Sequence, residues 1–291
     1  MIQSTVDILL HPMFVRGVIA GLVVLVLGIA VATTRGEDLT QRFGGLLVAA
    51  AMIVVLYESE MLGFSQIVGV TLLAIAGLFP RSVAIGFLLA IPGAFFVIRP
   101  ETTEPQSWLP WFAMVAIVIA APLVAAFDDR YQRTGLSLPL FGIAALGVFL
   151  TVPDTEGAMV LLGVAGMAGF LGWPRPLASL GGPGAYAAVG VFVFVAAEGA
   201  IGRPPSIIAS VAVLGLLLIV PITMRLRRTV WANQLDSIDA LFPLIAQMLL
   251  VLLISRTAGR MLTVKAATAL TIALLGVAAV IMLRRPSHQR D

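Results

Sequence analysis

Long uncharged apolar runs, separated by links too short to fold on their own, constrain this chain more than any motif in it. VIAGLVVLVLGIAVA (18–32) and AVGVFVFVAA (188–197) are typical. Such runs approach or reach the roughly 20 residues that cross a bilayer as a helix. Eleven emerge, at about 12–33, 44–57, 64–80, 82–98, 108–126, 136–152, 157–173, 180–197, 206–224, 241–255 and 266–283. They lack the period-two alternation that lipid-facing strands require, which excludes a transmembrane β-barrel. Of the 291 residues, 60% are hydrophobic and 11% charged, against about 25% charged in a soluble chain. The expectation is an all-α, polytopic helical membrane protein forming one integral membrane domain over residues 1–291.

Orientation follows from the cations in the links, because cytoplasmic loops carry the excess of Lys and Arg. One set of alternate links holds Arg35, Arg42, Arg81, Arg130, Arg133, Arg175, Arg225, Arg227 and Arg228. The tail over 284–291 adds Arg284, Arg285 and Arg290 on the same side, giving a short basic cytoplasmic tail. The opposite set holds only Arg99, Arg203, Arg256, Arg260 and Lys265. The N-terminus is therefore expected outside and the C-terminus inside, in the cytoplasmic membrane of a bacterium. Ala30-Val31-Ala32 resembles a signal-peptide cleavage site, but cleavage there inverts every later link against the charge count. SRTAGRMLTVK (255–265) strains the topology with three outside cations, and ten crossings result if 241–255 does not cross. RLRRTVWANQLDSID (225–239), with three arginines and Trp231, reads as an interfacial helix on the cytoplasmic face.

The same composition excludes several chemistries. The cations form no basic face with interleaved aromatics, so nucleic acid is not a partner. There is no cysteine, and the two histidines, His11 and His288, lie near the termini. No metal centre, catalytic triad or cofactor site is expected from so small a set of ligands. The partners that remain are the lipid bilayer and other membrane proteins, met through glycine-rich helix faces. Gly17 and Gly21 form one such face, and Gly163, Gly166, Gly169 and Gly172 another. GGPGAYAAVG (181–190) opens the eighth run. Pro92, Pro122, Pro139, Pro183, Pro221 and Pro243 fall within or near run ends, where a missing N–H kinks or interrupts a helix. Pro92-Gly93 and Pro122 are the best candidates for a broken helix of the kind transporters use.

The acidic residues carry the functional question. Glu58 and Glu60 sit between runs two and three, Asp154 and Glu156 between six and seven, and Glu198 ends run eight, five residues before Arg203. All fall on the expected external side. A carboxylate in hydrocarbon costs several kcal/mol unless paired, protonated or solvated, so these six residues are candidates for binding a substrate or ion in a wet vestibule. Each also has an ordinary structural account. In VPDTE, Val152 precedes a proline and leaves the helical region. Asp154 can then cap the next helix, and Glu156 sits in its first turn, where the dipole favours an anion. Glu58 and Glu60 suit a solvated hairpin tip, and Arg203 can simply pair Glu198.

On the cytoplasmic side, Asp128-Asp129 is similar to the aspartate pair of membrane enzymes that transfer sugar phosphates to polyprenyl phosphate. The Asn-rich and His-rich stretches of that family are missing, and two aspartates followed by arginines suit a salt-bridged loop. FDDRYQRTGL, GVFLTVPDTEGAMVLLG and GRPPSIIAS, in this order and spacing, resemble a group of actinobacterial-type polytopic membrane proteins with a VPDTE turn, over about 125–215. That resemblance implies an architecture and no chemistry. Three functions follow in order: a transporter or lipid flippase with an acidic external entrance; a non-catalytic subunit of a membrane or envelope-assembly complex; and an intramembrane enzyme on a lipid-linked substrate.

Overall fold

The computed structural model describes residues 10–33, 38–58, 62–79, 83–99, 109–131 and 180–200, with helical positions between 156 and 164. Among the described residues there are six long helices and no strand: α1 (Pro12–Thr33), α2 (Asp38–Glu58), α3 (Phe64–Ala76), α4 (Val83–Ile98), α5 (Leu109–Tyr131) and α6 (Gly181–Ala200). The all-α class is thus realised. The runs at 136–152, 206–224, 241–255 and 266–283, the helix expected at 225–239 and the tail at 284–291 lie outside the described residues.

Some helices extend beyond their apolar runs. α2 already includes Asp38, six residues before its apolar run. α5 passes through Asp128, Asp129 and Arg130 to Tyr131. The aspartate pair is therefore helical, not in the loop its neighbouring arginines suggested. α3 ends early. Gly77 donates to Leu73 at 3.0 Å, then Leu78 to Ile75 and Phe79 to Ala76 at 3.0 and 3.1 Å, so the last turn tightens to an i→i−3 pattern.

The prolines do not break their helices. α4 runs unbroken through Pro92 and α5 through Pro122. A proline removes one hydrogen bond, but its fixed φ is a helical one, and Gly93 beside Pro92 is held tightly against α3. Pro183 is the third residue of α6, where its missing N–H would have had no partner inside the helix.

α6 forms the axis of the bundle. α2, α3, α4 and α5 all pack on it, and positions 183–193 are buried around the whole circumference. Small residues make that possible, since they let helix backbones approach closely. A Cβ added at Gly190 would lie 2.5 Å from Leu73 Cδ1, and one at Gly45 2.8 Å from the Pro183 ring.

Those contacts also set the direction of each helix. Leu73 meets Gly190 and Gly77 meets Gly182, so α3 runs antiparallel to α6. Gly45 meets Pro183 while Val48 meets Gly184, so α2 runs parallel to it. Gly69 faces Gly93 and Val97, and Ala76 faces Gly86, which makes α3 and α4 an antiparallel pair. Helices α2, α3 and α4 therefore alternate in direction, as their short links require.

One hydrogen bond closes the α3–α4 pair at its outer end. The Phe96 carbonyl would normally accept from the N–H of residue 100, but that residue is a proline and has none. The Ser65 hydroxyl donates to this carbonyl instead, at 2.8 Å. Arg99 ends α4 in the left-handed region (φ 46°), its N–H bonded to the Phe95 carbonyl at 2.8 Å, and Pro100 then prevents continuation. Removing the hydroxyl in Ser65→Ala should cost about 1 kcal/mol, read as a lower thermal midpoint of the purified protein. Ser65→Thr, which keeps a donor, should retain most of it.

Side-chain size is arranged small-in and large-out. Ala90, Ala94, Ala113, Ala120 and Ala121 are buried, whereas Val26, Leu88, Trp111 and Val115 face outward. On α1 the exposed set Val15, Ile19, Leu22, Val23 and Val26 follows one helical face. Among the described helices, the stretch Pro12–Ala30 is both long and apolar enough to cross a bilayer by itself. The other apolar stretches, such as Phe64–Ala76 and Gly181–Val195, are shorter.

Candidate functional site

Two acidic positions are brought to one end of the bundle by the parallel packing of α2 on α6. Glu58 is the last residue of α2, thirteen beyond Gly45. Glu198 lies in the last turn of α6, fifteen beyond Pro183. Gly45 and Pro183 touch, so at 1.5 Å per residue the two positions differ in height by only about 3 Å.

A third acidic position, Glu156, lies in a stretch that packs on α1. Glu156 is helical and exposed. One turn further on, the Val160 carbonyl presses on Gly17, and a Cβ at Gly163 would lie 2.7 Å from the Phe14 carbonyl oxygen and 2.8 Å from the Val18 nitrogen. The stretch containing Glu156 therefore docks on the first turns of α1. α1 and α2 pack together across a link of four residues, 34–37, so they form an antiparallel pair. The start of α1 then lies beside the end of α2. Glu58 and Glu198 thus share one end of the bundle, and the stretch that carries Glu156 docks near the first turns of α1.

The remaining expectations divide simply. Glu60, Asp154 and Arg203 lie outside the described residues, and with them the proposed cap by Asp154 and the proposed pair between Glu198 and Arg203. Asp128 and Asp129 are helical positions of α5 beyond its apolar run. Among the described residues no three of His, Cys, Asp and Glu come together as a metal site would require.

One polar residue escaped the reading of the sequence. Tyr186, on α6, is 6% exposed and is the only polar side chain among the buried described residues. Its signal in the sequence is slight, a tyrosine within GGPGAYAAVG where a phenylalanine would pack as well.

No protein-family model, curated protein or solved structure matches the chain.

Proposed function

We propose that the chain is a multi-pass membrane protein of about eleven crossings in the cytoplasmic membrane of a bacterium, acting as a transporter or lipid flippase with an acidic external entrance. Outward-facing Leu, Ile, Val and Trp on the peripheral helices support a lipid surroundings, since a soluble monomer rarely exposes so continuous an apolar face. The alternation of direction along α2, α3 and α4 supports repeated crossing. The shortness of α3 is compatible with a span that borrows length from its caps.

The observation that supports the transport reading is the common end of Glu58 and Glu198. Carboxylates on two packed helices, one of them the central one, can draw a cation or proton into the bundle. The charge count assigns that end to the outside. The subunit reading is favoured by small loops and glycine-rich faces; of those glycines, Gly17, Gly163, Gly182 and Gly190 make contacts within the chain. The enzyme reading rests on Asp128 and Asp129 or on the external carboxylates.

The test is proton entry into liposomes carrying the purified protein, driven by a potassium-diffusion potential and followed with an internal pH dye, alongside scrambling of a fluorescent phospholipid. Glu198→Gln should reduce the active signal at least tenfold, while membrane abundance stays at the wild-type level. Loss of abundance with Glu198→Gln and Glu156→Gln alike would instead make these residues helix caps.

A further inference from the structure

We infer that exposed aromatic side chains on α2, α3 and α4 form a girdle that seats one end of the bundle in the headgroup layer of a bilayer. The inference rests on the membrane part of the reading above and is independent of transport. Tyr57, Phe64 and Phe96, one on each helix, are all exposed. Phe64, at 82%, is the most exposed large apolar side chain among the described residues. Exposed aromatics that recur on three helices call for a partner that all three can reach.

The packing puts these three residues at one height. Gly45 and Gly77 both press on the start of α6, at Pro183 and Gly182. Tyr57 lies twelve residues beyond Gly45 on α2, and Phe64 thirteen before Gly77 on the antiparallel α3. At 1.5 Å per residue they stand about 18 and about 20 Å from that common base. The Ser65 hydroxyl donates to the Phe96 carbonyl at 2.8 Å, which brings the third to within about one turn of them. Polar groups gather at the same height: Glu58 beside Tyr57, Gln66 near Phe64, and Arg99 just past Phe96.

The side chains between the two ends differ in kind. Val54 on α2 and Leu88 and Ile91 on α4 are exposed and aliphatic. Thr71, midway along α3, is exposed but turns its hydroxyl back onto the Ile67 carbonyl at 2.8 Å, so it asks nothing of its surroundings. On these three helices exposed aromatics return only towards the other end, at Phe87 and Phe79. An aliphatic band that gives way to aromatics where polar groups begin matches the layering of a bilayer, hydrocarbon and then headgroups. A docked protein gives no reason for one height on three helices.

The chain has no cysteine, so one nitroxide label can be placed at a time. The full-length protein carrying Tyr57→Cys, Phe64→Cys, Phe96→Cys, Leu88→Cys or Ile91→Cys is labelled and reconstituted into phosphatidylcholine vesicles. All five positions are exposed, so the label leaves the core undisturbed. Depth is read from collisions with oxygen, which concentrates in hydrocarbon, and with a water-soluble nickel chelate, which stays outside it. At Leu88 and Ile91 the ratio of oxygen to nickel collisions should be several-fold higher than at the three aromatic positions, which should share one intermediate value. The girdle is overturned, with the membrane reading intact, if those three positions read as deep as Ile91 or differ widely among themselves. If nickel dominates at Leu88 and Ile91 as well, the membrane reading fails and the girdle fails with it.

Discussion

Gly77→Ala should lower the thermal midpoint by on the order of 10 °C, and Gly77→Val should remove the monodisperse peak in gel filtration. The residue follows α3 and lies against the start of the central helix. A Cβ there would be 2.5 Å from the Gly182 oxygen, and 2.6 Å from the Gly182 carbon and the Pro183 nitrogen. All three are backbone atoms, so no rotamer change relieves the clash. Gly77 has φ −65°, which alanine adopts freely, so the penalty is purely steric. Overpacking a well-packed site costs about 1–3 kcal/mol. Contact with rigid backbone puts this case at the upper end, a few degrees of midpoint for each kcal/mol. Gly63→Ala is the control. Its new methyl would meet only the Gln66 Oε1 at 2.9 Å, the far end of a flexible side chain, so the midpoint should hardly move. Equal midpoints for the Gly63 and Gly77 variants would show that α3 does not rest on α6 in this way.

Val23→Arg should reduce the protein recovered in the membrane fraction several-fold. Val23 is 42% exposed, midway along α1 and on the same outward face as Ile19 and Val26. If that face meets hydrocarbon, arginine near the helix centre costs about 2.5–3.5 kcal/mol by insertion scales. If it meets water, the same substitution changes stability by no more than about 0.5 kcal/mol. Undiminished membrane recovery would sink the lipid-facing assignment of α1, and with it the outermost part of the membrane reading. Val23→Leu should be silent in both settings.

How far the sequence foretold this structure can be judged helix by helix. The start of α1 was legible to the residue, because the apolar run begins at a proline, a residue suited to a first helical position. The helical continuation of α5 was not. Hydropathy marks where a chain ceases to be apolar, whereas the ladder of α5 runs on through Asp128 and Asp129. The glycines were legible as packing surfaces. Their partners were not, because Gly17 against Val160 and Gly77 against Gly182 join residues more than a hundred positions apart. The same limit applied to the acidic residues. Each could be named from its setting at the end of a run, but the common end of Glu58 and Glu198 follows only from the directions of α2 and α6. Tyr186 was missed because, in an apolar run, a tyrosine counts as one more aromatic. Only its burial on all sides makes the oxygen conspicuous.

The central position of α6 has a consequence for biogenesis. Four of the helices that enclose it, α2 to α5, leave the ribosome first, and 49 residues separate Tyr131 from Gly181. At about 5–20 residues per second, the enclosing helices wait on the order of 3 to 10 s for their axis. During that interval their glycine- and alanine-lined faces surround a vacancy the width of a helix. The nascent chain must keep that vacancy open or otherwise filled, and must then admit α6. Variants that tighten the early ring, such as large residues at Ala90 or Ala94, should therefore trap a half-made bundle during synthesis rather than merely weaken a finished one.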